Sequence, residues 1–272
     1  MAEYIDRRAM KYQAKTLLAD AQVSPKAMTA LYLGLILVLN LVSSLTATPG
    51  MLATFVTILT TLMSLVLHAG YTMYMMAIRR GERVEFLALF DGFSFVGKII
   101  ALNIAIFLFI FLWSMCFVIP GIIAFYRYRF ALFNLYENPD LSVMQALNLS
   151  KRQTFGYKSQ LFMLDLSYFG WSLLSTLPSV FYSVPFYQES FAAASGYMAN
   201  TISFVSPETF SLTALPLVVS TLIIGLWNLV VSLFYYPNYM CVELGYFETA
   251  KRTSGTASSR PWQNGPDNMG GF

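Results

Sequence analysis

The sequence predicts an all-α, polytopic helical membrane protein with six transmembrane helices, interfacial amphipathic helices and both termini cytoplasmic. Three observations carry this expectation. The 272 residues are 57% hydrophobic and 11% charged, against roughly 25% charged residues in a soluble domain. Apolar stretches approaching the ~20 residues that cross ~30 Å of hydrocarbon recur along the chain. All 17 Lys and Arg fall into four clusters, at 7–26, 79–98, 127–158 and 251–260. The connections around Pro49, around Pro120 and across 182–211 hold none. Basic residues stay on the cytoplasmic side of a membrane, so the alternation itself sets a topology.

Taken in order, the chain opens with a basic, weakly amphipathic segment at 4–20, expected to lie on the cytoplasmic face. The first 26 residues lack the apolar core of a cleavable signal, so the first span is expected to serve as an uncleaved insertion signal. The spans are read at 27–47, 52–78, 99–118, 121–136, 160–181 and 213–235. Thr48-Pro49-Gly50 is the first outer turn. The fourth span is short and carries Arg127 and Arg129, but without it the last basic cluster would fall on the wrong side. Two further interfacial helices are expected. One covers 85–96, with Phe86, Leu89, Phe90 and Phe93 at helical spacing. The other starts at Ser142-Val143-Met144-Gln145, a capping-box pattern, with an apolar stripe of Leu141, Met144 and Leu147 opposite Asn148, Lys151 and Arg152. Residues 1–252 thus read as a single six-helix domain, and 253–272, rich in Ser, Gly, Asn and Pro, as a disordered cytoplasmic tail.

Chemistry concentrates in the fourth span. Pro120-Gly121 is expected to turn the chain at the outer face. At 1.5 Å per residue, Arg127 then lies about 10 Å below the turn and Arg129 about 13 Å. A guanidinium at such depth costs ~2.5–3.5 kcal/mol unless paired or hydrated. Asp165 is the carboxylate set well within a span, some way into the fifth. Two readings are open: Arg127 or Arg129 pairs with Asp165 and joins spans four and five, or each side chain snorkels separately to the inner interface. Such a pair is either structural glue or the lining of a polar path. Secondary candidates are His68, Asn103, Pro120 and Gly121. His68, the one histidine, reads as a hydrogen-bonded packing residue. Cys116 and Cys241 lie in no metal or redox spacing and read as inert thiols.

No catalytic residue set, metal motif or phosphate-binding loop is recognisable, and no cofactor is expected. The expected partners are anionic headgroups at the basic cytoplasmic face and a membrane protein at the aromatic outer loop 182–211; nothing suggests nucleic acid.

Several motifs in order resemble a known family. They are Leu89-Phe90-Asp91-Gly92-Phe93, Leu112-Trp113, Ile119-Pro120-Gly121-Ile122-Ile123, Glu137-Asn138-Pro139-Asp140-Leu141-Ser142, Ala146-Leu147 with Ser150, Leu161-Phe162, and Leu164-Asp165-Leu166-Ser167-Tyr168-Phe169-Gly170-Trp171. Over about 80–175 the chain resembles a bacterial integral-membrane family catalogued as domain of unknown function 975. It is more distantly similar to the membrane-anchoring portion of some glycerophosphodiester phosphodiesterases, without their catalytic domain. The resemblance implies a six-span protein of the bacterial plasma (inner) membrane and no particular activity. The chain departs from the family in its long 182–211 loop and in Gln145, where the family usually has Glu. The expected function is a non-enzymatic scaffold, envelope-homeostasis factor or accessory subunit of a membrane complex. The alternative is a small transporter or permease component for a lipid or amphipathic peptide.

Overall fold

The computed structural model describes residues 3–21, 23–46, 50–197 and 210–255, with backbone alone at 116, 182–197 and 210–216. The tip of the first outer turn, the side chains of 182–211 and most of the 253–272 tail therefore lie outside the described residues; the expected loop at 182–211 is helix as far as Tyr197 and again from Phe210. The described residues form helices: α1 (Arg7–Ala19), α2 (Pro25–Leu45), α3 (Met51–Arg79), a 3-10 helix (Phe86–Phe95), α4 (Val96–Cys116), α5 (Val118–Tyr128), α6 (Ala131–Glu137), α7 (Val143–Gln153), α8 (Lys158–Tyr197) and α9 (Phe210–Thr253). Among the described residues four stretches are long and apolar enough to cross a membrane: Pro25–Leu45, Met51–Arg79, Phe86–Met115 and Leu217–Thr253.

The long helices pack as antiparallel hairpins. In the first, Thr29 and Tyr32 of α2 meet Tyr71 and His68 of α3. In the second, α4 runs against α5 and α6 together. Phe95 lies 6.2 Å from Tyr136, Phe109 lies 5.6 Å from Tyr128, and Ser114 touches Gly121. In the third, Trp227 of α9 donates to the Leu174 carbonyl of α8, Tyr168 donates to Asn238, and Tyr157, just before α8, meets Thr253.

Local sequence explains the ends. Asp6 caps α1 by accepting from the Arg8 N–H at 2.8 Å, and Pro25 opens α2, where a missing N–H costs nothing. The second hairpin turns at Phe117, whose backbone is extended, rather than at Pro120-Gly121. Pro120 falls in the first turn of α5, where its N–H would have no partner in any case. Gly121 has a packing role: a Cβ there would collide with the Ser114 hydroxyl. At the other end of the chain, α9 runs through Pro237 and on to Thr253, well beyond the expected limit of 235. Proline inside a membrane helix is tolerated where neighbouring helices relieve the freed carbonyl.

The interfacial segments are more deeply built in than expected. Phe86–Phe95 winds as a 3-10 helix that buries Leu89 against α3. Glycines permit this approach, because a Cβ at Gly70 would strike the Leu89 carbonyl and one at Gly92 would lie 2.6 Å from the Val66 carbonyl. The capping box of α7 is formed in both directions, Gln145 N–H to Ser142 at 3.3 Å and Ser142 N–H to Gln145 at 2.9 Å. The expected stripe is divided, however: Met144 is exposed, and the buried face is Ala146, Leu147, Ser150 and Gln153. That face docks onto α6 through a reciprocal amide pair, Asn134 with Gln153, both bonds 2.8 Å.

Candidate functional site: a buried ion cluster at the end of α5

The site begins with an interruption. α5 ends at Tyr128 and α6 begins at Ala131. Ser150 of α7 fills the gap, accepting from the Phe130 N–H at 3.1 Å and donating to the Arg127 carbonyl at 2.8 Å. Thr154 adds a second bond to that carbonyl at 3.2 Å. Buried backbone groups left open by the break are thus satisfied from α7. The break fixes where Arg129 points.

Arg129 enters the bundle and is met by two carboxylates. Its Nη1 and Nη2 donate to Asp165 of α8 at 2.5 and 2.9 Å, and its Nε donates to Glu243 of α9 at 2.6 Å. A further Nη2 bond reaches the Tyr239 hydroxyl. Tyr239 and Tyr126 donate to Asp165 at 3.0 and 2.8 Å. The rings of Phe125 and Tyr126 lie 5.7 and 5.5 Å from the guanidinium carbon. Arg129 and Glu243 side chains are each 8% exposed and Asp165 29%. One guanidinium and two carboxylates leave the cluster with a formal charge of −1. Its bidentate, charge-assisted bonds are the strong kind, and they join three helices at one point.

Of the two arginines considered with Asp165, Arg129 is therefore the one the structure brings to it. Arg127 lies elsewhere, its guanidinium 5.8 Å from the Trp113 ring. Glu243 is a site residue that sequence reasoning missed. The sixth span is read only as far as 235, which leaves Glu243 beyond it. The uninterrupted apolar run Tyr239–Val242 and Leu244–Phe247 around Glu243 is the signal that could have found it. His68 and Asn103 do not join the cluster. His68 Nδ1 is 3.4 Å from the Tyr32 hydroxyl, beside a stack in which Tyr71 lies 4.8 Å from Tyr32 and 5.4 Å from Tyr236. Asn103 bonds the Ile99 carbonyl of its own helix at 2.9 Å.

Other charges form a separate belt nearer the ends of α3 and α9. Arg79 lies across Gly245, makes two bonds to Glu248 at 3.0 and 2.7 Å, and donates to the Cys241 carbonyl at 2.9 Å. Glu137 of α6 accepts from Arg80 at 3.3 Å and Lys251 at 2.6 Å. α1 closes over this region. Its Lys11 sits 4.1 Å above the Tyr168 ring, and Met10 lies against Gly245. Cys241 is a buried free thiol.

A second polar feature is a cleft of about 550 Å³ between α2, α8 and α9, lined by Asn40, Ser43 and Ser44, by Ser175, Thr176 and Ser179, and by Thr221 and Asn228 among apolar residues. Arg129, Asp165 and Glu243 are not in its lining. At 1.5 Å per residue, Asn228 is about 22 Å along α9 from Glu243. Among the described residues no group of His, Cys, Asp and Glu could hold a metal ion.

Fold and site together define a helical membrane protein tied internally by a buried ion cluster. Within that class, residues 115–194 match the model of a family described as a protein of unknown function (DUF975). The matched segment runs from the end of α4 into α8, later than the 80–175 on which the resemblance was read; it includes Arg129, Ser150 and Asp165 and stops short of Glu243. No curated protein matches, no solved structure matches, and the likeness to the phosphodiesterase membrane anchor is not among the findings.

Proposed function

We propose that this chain is a non-enzymatic, six-span protein of the bacterial plasma membrane, with both termini cytoplasmic, acting as a scaffold or accessory subunit of a membrane complex in envelope homeostasis. The observation that carries this reading is that the ion cluster is satisfied by its own neighbours and lines no part of the cleft. Charges spent on one another fasten helices. The pairing of α4 with α5 and α6 along their lengths supports a crossing at the fourth position even though α5 alone is short. Copurification in mild detergent tests the role. A stoichiometric membrane-protein partner is the expected result, and a chain that purifies alone from every condition counts against it.

A second reading, a permease component for a lipid or amphipathic peptide, is favoured by the cleft between α2, α8 and α9. Hydroxyl and amide groups there could accompany a polar headgroup past lipid tails. Transport by the purified chain in liposomes, lost in Asn40→Leu/Asn228→Leu with folding intact, would establish this reading over the first.

A further inference from the structure

Cations packed inside this protein are matched with carboxylates. Arg129 has Asp165 and Glu243, Arg79 has Glu248, and Arg80 and Lys251 share Glu137. Other cations lack a carboxylate among the described residues, Lys11 and Lys98 included, and three of these are neighbours: Arg127 and Lys158, both half-buried, and the exposed Lys151. Arg127 at the end of α5, Lys151 on α7 and Lys158 at the start of α8 have no carboxylate partner among the described residues, though three helices bring them to one place. Their convergence is built into the backbone. Ser150 and Thr154 hold the Arg127 carbonyl and so fix the last turns of α7 beside α5. Lys151 follows Ser150 directly. A tight turn with Gly156 at φ 84° brings the chain back to Lys158. The charges feel one another: the Lys158 ammonium is held below its ordinary value, first by partial burial and then by Arg127 and Lys151.

We infer that Arg127, Lys151 and Lys158 form a binding site for the phosphate of an anionic phospholipid. Like charges on segments held together by hydrogen bonds favour an anion between them, and no described side chain supplies one. An exposed ring shows where that anion comes from. Phe155, in the turn between the two lysines, is 81% exposed. A large apolar ring left open beside basic side chains fits the boundary between headgroups and hydrocarbon. The mouth of the site therefore opens at the depth of lipid phosphates, and the acyl chains lie along α4 and α5. Placing the site in the cytoplasmic leaflet rests on the topology proposed above; the lipid assignment itself does not.

The test uses the full chain, purified and reconstituted in nanodiscs of phosphatidylglycerol and phosphatidylcholine, with retained lipids counted by native mass spectrometry. Wild type is expected to retain phosphatidylglycerol over phosphatidylcholine by about tenfold or more, given the attraction each basic residue adds at an anionic surface. Arg127→Gln/Lys151→Gln/Lys158→Gln should abolish that preference. Lys15→Gln/Lys26→Gln/Arg83→Gln, which removes equal charge elsewhere, should keep it. If the first triple variant does not fold, Lys151→Gln/Lys158→Gln should reduce the preference by itself. Unchanged preference in the folded site variant, or equal loss in the control, overturns the site. Displacement of the lipid by inorganic phosphate at millimolar concentration assigns the site to a free anion and overturns the lipid. Phe155→Cys reports separately on sidedness: labelling from the periplasmic side refutes the topology and leaves the lipid preference standing.

Discussion

Arg129 is the residue on which most depends. Arg129→Gln strands Asp165 and Glu243 in the bundle, and removing one member of a buried ion network typically costs about 3–5 kcal/mol. A correspondingly lower thermal midpoint in detergent is expected. Arg129→Lys should recover only part of the loss, because one ammonium cannot fork onto Asp165 while also reaching Glu243. Arg127→Gln should scarcely change stability. Much of this was legible in the sequence. Asp165 stands out as a carboxylate deep in an apolar stretch, and the arginines opposite follow from depth. The choice between Arg127 and Arg129 was not legible. Two residues separate them by only about 3 Å of depth but by about 200° around the helix, and only packing reveals that rotation. Glu243 lay past the expected end of the sixth span, whereas α9 continues through Pro237, which neighbouring helices can support in a membrane.

Among the elements, α7 and the 3-10 helix look like surface helices in sequence and are structural parts in fact. The capping box at Ser142 was readable because its partners are three residues apart. Ser150's role was not, because it serves a break in another helix. The same applies to Gly70 and Gly92, each of which makes room for backbone from another helix. Gly70→Ala is expected to unseat Phe86–Phe95 from α3, since the added methyl would meet the Leu89 carbonyl, which is backbone and cannot swing aside. Hydrogen exchange confined to residues 86–95 should rise, while the amides of α8 and α9 keep their protection. Uniform protection in the variant would show that this seat is looser than its geometry implies.

Over the whole molecule, three hairpins are sewn together by contacts far apart in sequence. The extended segment before α1 is part of this. Gln160 accepts from the Ile5 N–H at 3.0 Å and donates to the Glu3 carbonyl at 3.1 Å, so the first residues grip the start of α8. The charge pattern along the chain made the hairpin order legible. It could not show which hairpins touch, because α2 packs on α9 through Tyr32 and Tyr236, near opposite ends of the chain. The ion cluster spans a similar range. Its arginine is made 36 residues before Asp165 and 114 before Glu243. The consequence is one of timing during synthesis. When Arg129 first leaves the ribosome it has neither counter-charge, so the short arginine-bearing segment is expected to settle only once Asp165 and then Glu243 arrive. Chains truncated at residue 209 should therefore leave a cysteine introduced at Phe125 open to water-soluble labels, and full-length chains should protect it.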